Sequence, residues 1–226
     1  MIDSGYQHSL YLVLENMRKV GLNPMDIKYI VHTHGHIDHC GATQALVKMT
    51  GAKTFLGEAD RDYVNGTLDL SWAKELDLVM EEFEPDVLVN DGDTITLGNT
   101  TLTAIASPGH TPGAMTYVFE TEQDGRKLIA GIHGGAGLNS VKKSFLDKYN
   151  LPYSYQDDYL NTVEKLKQLK VDIYLGNHVG QNKTPQKYQQ LMEGNKDAFV
   201  DPTGLAEFVE QCRIRLLAQI AEENKQ

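Results

Sequence analysis

Apolar positions along the chain fall into short, well-punctuated runs. Leu10, Leu14, Met17 and Val20 recur at helical spacing with Val13 beside them, and Gly21 follows as a C-terminal cap. The apolar stretch Ile27 to Val31 predicts a strand. Gly41 to Met49 predicts a second helix with Ala45, Leu46 and Met49 on one face and Gly51 past its end, and Ala52 to Leu56 predicts the next strand. A strand–helix–strand unit of this kind reads as α/β.

Residues 57–86 are acidic and aromatic-bearing, which predicts short helices around Glu58 to Val64 and Leu70 to Glu82, with Trp72 as a packing anchor ahead of a pocket-lining role. From Val87 the pattern turns to meandering β structure. Ile95 and Leu97 face Leu102 and Ala104 across Gly98-Asn99, and Tyr117 to Phe119 and Leu128 to Ile132 flank Asp124-Gly125, two hairpin signals. Leu160, Val163, Leu166 and Leu169 mark a helix before the strand Val171 to Leu175. Thr184-Pro185 opens another helix, and Leu205, Phe208, Val209, Cys212, Leu216 and Ile220 form a last amphipathic one. No repeat, low-complexity tract or linker interrupts residues 1–226, which predicts a single domain.

Composition narrows the function. Hydrophobic residues make up 41% and charged residues 23% of 226, ordinary values for a globular protein. A net charge of -10 argues against a nucleic-acid partner or an anionic membrane surface. Two distant cysteines, Cys40 and Cys212, make no disulfide framework, and no run is long enough to span a membrane. The N-terminal residues carry no basic segment followed by an apolar one, so a cytoplasmic protein is expected.

The chemistry concentrates in His34-Gly35-His36-Ile37-Asp38-His39, directly after the predicted strand Ile27 to Val31. Zinc takes imidazole nitrogen and carboxylate oxygen. In an extended loop His34 and His36 point the same way and can share an ion, while Asp38 and His39 can face a second. Among the eight histidines, His110 lies in Ser107-Pro108-Gly109-His110-Thr111-Pro112-Gly113 and His178 in Leu175-Gly176-Asn177-His178, both after strands. Strand-end histidines from distant parts of a chain are what a metal site recruits. His32 fits a strand residue better, and His8 a solvent-facing or capping one.

These motifs resemble the metallo-β-lactamase-fold hydrolases. His34 to His39 matches the superfamily's His-x-His-x-Asp-His signature, Pro108 to Gly113 its second motif and His178 its last. The resemblance implies an αββα four-layer sandwich with a binuclear site for two Zn2+ ions. His34, His36 and His110 would hold the first; Asp38, His39 and His178 would hold the second. The family usually adds a bridging Asp or Cys where Leu128 to Gly135 offers neither, which resembles the zinc β-lactamase subclass whose second site is Asp-His-His. His133, Asp3 and Cys40 are candidates for an outer shell or the pocket wall.

By the same resemblance, part of the N-terminal sheet is lacking. That predicts a homo-oligomer in which a second copy shields the open edge. The expected reaction is metal-assisted hydrolysis of a small-molecule cyclic amide or ester by a metal-bound hydroxide, with a β-lactam favoured and Asp38 as the catalytic carboxylate. A lactonase or thioesterase of the same fold, and a non-catalytic metal-binding subunit, are the alternatives.

Overall fold

Three short parallel strands carry the N-terminal part of the chain, and the parallel arrangement places their connecting loops at common ends. The structure, a computed structural model, describes residues 1–225. The chain divides into two units, Met1–Asp91 with Gly113–Met115, and Gly92–Pro112 with the chain from Thr116 onward.

In the first unit the elements run α1 (Leu10–Lys19), β1 (Tyr29–Val31), α2 (Ile37–Cys40), α3 (Thr43–Thr50), β2 (Lys53–Gly57), α4 (Arg61–Val64) and β3 (Val87–Val89). The sheet order is β1-β2-β3, with Val31 opposite Phe55 and Phe55 opposite Val87. Residues 1–3 lie along β1: Ile2 bridges Val31 in parallel, and the Asp3 N–H donates to the Val31 carbonyl. The core gathers Leu10, Ile27, Ile30, Ala42, Leu46 and Ala52, with Val13, Leu14 and Met17 packed against it. Val20 is exposed because α1 stops at Lys19 and Val20 caps it.

Two expectations need correction here. Residues 70–82 hold no α-helix, only a 3-10 turn at Lys74–Leu76. Trp72 and Asp77 take φ of 67° and 52°, a left-handed backbone that a helix cannot continue through. Val87–Val89 does not open the meander but joins the parallel sheet. The side chain of Asp86 explains it, since its carboxylate accepts both the N–H and the hydroxyl of Thr54 at 2.8 Å.

The second unit is built on a five-stranded sheet ordered β4 (Thr94–Leu97), β5 (Thr100–Ala106), β6 (Met115–Gln123), β7 (Arg126–His133) and β8 (Ile173–Leu175). The hairpin of β6 and β7 closes on Asp124 and Gly125, with φ of 51° and 77°, the pair of positive values that a two-residue turn requires. β8 adds in parallel to β7. Helices α5 (Lys143–Tyr149), α6 (Ser154–Lys167), α7 (Thr184–Met192) and α8 (Gly204–Glu223) complete it. Tyr159, Val163 and Leu166 of α6 meet Leu205, Val209, Cys212 and Leu216 of α8 in one core with Tyr174 of β8. Among the described residues no helix is long and apolar enough to cross a membrane.

Candidate metal centre

β1 ends at Val31, but the strand-like pairing runs one residue further, because His32 donates its N–H to the Phe55 carbonyl. The chain then turns through His34 and Gly35 to His36, which is extended (φ -81°, ψ 151°) and precedes α2. One turn of α2 therefore presents Asp38 and His39 beside the loop they follow. His34, Asp38 and His39 each offer a ligand atom, all within 4.8 Å of one another. The ring centroids of His34 and His39 are 4.0 Å apart, and those of His34 and His36 are 4.8 Å apart at 80°. All three rings are buried. Imidazole nitrogens and a carboxylate converging in a buried site fit a zinc ion in donor chemistry.

Around these groups lies a bracing shell. Asp3 accepts the Nδ1–H of His39 at 2.7 Å, and also the N–H and hydroxyl of Thr33 at 2.7 and 2.8 Å. Burial works against a charged His39 ring, but the Asp3 carboxylate by charge and hydrogen bond, then Asp38, outweigh it and lift the ring's pKa to about 10. A metal on that ring competes with this proton. His32 is fully buried and uses both ring nitrogens within the fold, with Nδ1 2.9 Å from the Phe55 carbonyl and Nε2 2.7 Å from Thr43 Oγ1. Ser4 Oγ lies 3.0 Å from Thr43 Oγ1 and 3.0 Å from the His39 carbonyl. Cys40 donates its thiol to the His34 carbonyl at 3.1 Å, and burial, then Asp3, Asp60 and Asp38, push that thiol well up.

Two aromatic rings flank His36, Tyr63 at 6.3 Å and Trp72 at 6.2 Å. The Ser71 carbonyl accepts the Ile37 N–H at 2.8 Å, so the 70–78 segment is tied to the start of α2. A cavity of about 220 Å³ opens next to Ile37, lined by Tyr6, Gln7, His8, Leu78 and Val79. His8 stacks on Tyr6 with centroids 4.9 Å apart. Residue spacing does not reveal this wall, since the contributing residues come from three separate stretches.

In the second unit, His110 follows β5. Its Nδ1 lies 2.7 Å from the Gly137 carbonyl, which makes that nitrogen the protonated one and leaves the lone pair on Nε2. Ser140 donates to the His110 carbonyl at 2.6 Å. Gly135 and Gly137 make room for the ring: a Cβ on Gly135 would stand 2.6 Å from His110 Cδ2. His178 lies three residues past β8 and is exposed, in a turn where Gln181 accepts the Asn177 N–H at 3.2 Å.

His133 ends β7, opposite Thr116, and is buried. Thr116 donates its hydroxyl to Ser107 and accepts from the His133 Nδ1–H at 2.9 Å. Burial, then the charge of His110, lower the His133 pKa to about 3. The unfolded ring titrates near 6.5, so the unfolded chain binds the extra proton first as pH falls. His133 therefore costs stability progressively from about pH 6.5 down to about 3, on the order of a few kcal/mol in all. The thermal midpoint of the wild type should fall relative to that of His133→Leu as pH drops from about 6.5 towards 3, with the difference constant above pH 7. Parallel curves would contradict this.

The family model for the Metallo-beta-lactamase superfamily matches residues 1–178. Among solved structures, the chain is similar to BJP-1, a subclass B3 metallo-β-lactamase of Bradyrhizobium japonicum, with a TM-score of 0.90 and 28% identity over 99% of this chain and 84% of that one. It is 25% identical to the N-acyl homoserine lactonase AiiA of Bacillus thuringiensis subsp. kurstaki over 80% of this chain and 67% of the relative. It is also 34% identical to an Aquifex aeolicus (strain VF5) protein over 45% of this chain and 46% of that protein. The matches with several curated relatives thus span less than half of those relatives' length.

Proposed function

The chain belongs to the metallo-β-lactamase superfamily, and from that premise we propose that it is a binuclear zinc hydrolase opening a cyclic amide or ester, a β-lactam first. The observation that carries the reading is the buried convergence of His34, Asp38 and His39 with Asp3 bracing His39 from behind. In this assignment His34, His36 and His110 hold one zinc, and Asp38, His39 and His178 the other. Residues 1–226 are taken as one functional domain in this reading, since no repeat, low-complexity tract or linker interrupts them.

Zinc supplies Lewis acidity and brings a bound water's pKa towards neutrality. The chain's own contributions are positional. Asp3 fixes His39 by its Nδ1–H, so the opposite nitrogen is presented for coordination. Gly137 fixes the tautomer of His110 in the same way. Asp38, about a quarter exposed, supplies a carboxylate oxygen for metal or proton. The apolar lining by Ile37, Leu78 and Val79 suits a substrate with a non-polar substituent.

The similarity to a B3 β-lactamase supports the β-lactam, and AiiA supports a lactone as the second reading. The stretch Leu128 to Gly135 has no carboxylate or thiol to bridge two ions, which favours the first. Hydrolysis of a chromogenic cephalosporin and of an N-acyl homoserine lactone by the zinc-loaded chain decides between them. Faster cephalosporin turnover is expected; lactone turnover alone would reverse the order. Zinc uptake without either turnover would favour the non-catalytic subunit. A second copy covering the edge beside Met1 to Asp3 is part of this proposal, and a monodisperse monomer in light scattering contradicts it.

A further inference from the structure

Asp60 is completely buried, and its carboxylate bonds the backbone of the ligand motif. Its position just before α4 is one where aspartate ordinarily caps a helix, yet its side chain makes no cap bond there. Instead Oδ2 accepts the Gly35 N–H at 2.8 Å and Oδ1 accepts the Gly113 N–H at 2.7 Å. The Gly35 N–H belongs to the peptide joining His34 to Gly35. The carbonyl of that same peptide is the one that receives the Cys40 thiol at 3.1 Å. One peptide plane, between two proposed metal ligands, is thus held at its N–H end by Asp60 and at its C=O end by Cys40.

Close packing reinforces the clamp. A Cβ on Gly35 would lie 2.9 Å from Tyr63 Cβ, and one on Gly113 would lie 2.4 Å from the Asp60 nitrogen. Backbone and carboxylate therefore meet with no side chain between them. Rotation of the His34–Gly35 peptide would swing His34 and His36 relative to each other, and a buried carboxylate with two charge-assisted bonds resists it.

We propose that Asp60, with Cys40 opposite, is a positioning residue that locks the His34–Gly35 peptide and so sets the angle between the two histidine ligands. The proposal rests on the zinc reading above only for its effect on affinity. Asparagine at 60 keeps the shape but offers one acceptor to two N–H donors, so one end of the grip is lost. Cys40→Ala removes the carbonyl end without changing any charge.

Zinc affinity of the purified chain, by competition with a chromophoric chelator, should fall about 10–100-fold in Asp60→Asn. It should fall in the same direction, by less, in Cys40→Ala. Leu46→Ala, a buried core change in the same unit, controls for lost stability and should leave zinc affinity unchanged at a temperature where all variants are folded. Amide exchange at Gly35 should quicken in Asp60→Asn and stay slow in Leu46→Ala. Wild-type affinity with wild-type Gly35 exchange in Asp60→Asn would overturn the proposal, as would an affinity loss matched by Leu46→Ala. If the wild type takes up no zinc, the zinc reading fails, and Gly35 exchange alone decides whether the clamp exists.

Discussion

Asp38→Ala is expected to lower turnover by about 100-fold or more while leaving the fold in place. The carboxylate stands on a single helical turn, α2, with its Oδ2 3.3 Å from His39 Nε2 and about a quarter of the side chain exposed. A partly exposed side chain of this kind contributes roughly 0.5 kcal/mol or less to stability, a shift of about 2 °C in the thermal midpoint. What is lost is a proposed ligand and the carboxylate that, with Asp3, faces His39. Asp38→Asn keeps the shape but not the charge, and should fall nearly as far. Wild-type turnover in either variant would remove Asp38 from the reaction.

Gly57→Ala is expected to be the most damaging single methyl addition in the first unit. Gly57 ends β2 with an ordinary φ of -55°, so conformation is not the obstacle; space is. An added Cβ would lie 2.0 Å from the Gly113 carbonyl oxygen and 2.9 Å from its carbon, both backbone atoms. Gly113 in turn sits against Asp60, so the strain has nowhere to relax. A cost of about 3 kcal/mol or more follows, which is a fall of roughly 6–12 °C in the thermal midpoint or failure to accumulate folded protein. Gly51→Ala is the contrast. Gly51 has φ 69° with nothing near its missing Cβ, so that change should cost only about 1–2 kcal/mol. Equal losses in the two variants would show that the Gly57–Gly113 approach is not as tight as described.

The features legible in the sequence are those whose cause is local. The hairpin at Asp124-Gly125 is written in two adjacent residues able to take positive φ, and the helix at Thr184-Pro185 in a proline that α7 accepts in its first turn. His34 to His39 reads as a candidate metal motif because its possible ligands are packed into six positions, and the structure brings ligand atoms of His34, Asp38 and His39 within 4.8 Å of one another. Asp3 was reachable as a residue orienting a histidine, and the structure places it 2.7 Å from His39.

The illegible features are long-range. Asp60 binds Gly35 and Gly113, 25 and 53 residues away, and its local setting reads only as a helix start. The 70–82 segment has the composition of a helix, but tertiary ties such as Ser71 to Ile37 hold it as a loop with Trp72 left-handed. Val87–Val89 gives an apolar pattern shared by parallel and antiparallel strands, and the long-range ladder to β2 with the bonds between Asp86 and Thr54 shows which sheet takes it.

Zinc per chain, measured by plasma mass spectrometry on purified and dialysed protein, tests the central claim most directly. Two equivalents are predicted, with one lost in Asp38→Ala. A wild-type chain that retains no zinc after loading would contradict the binuclear hydrolase outright.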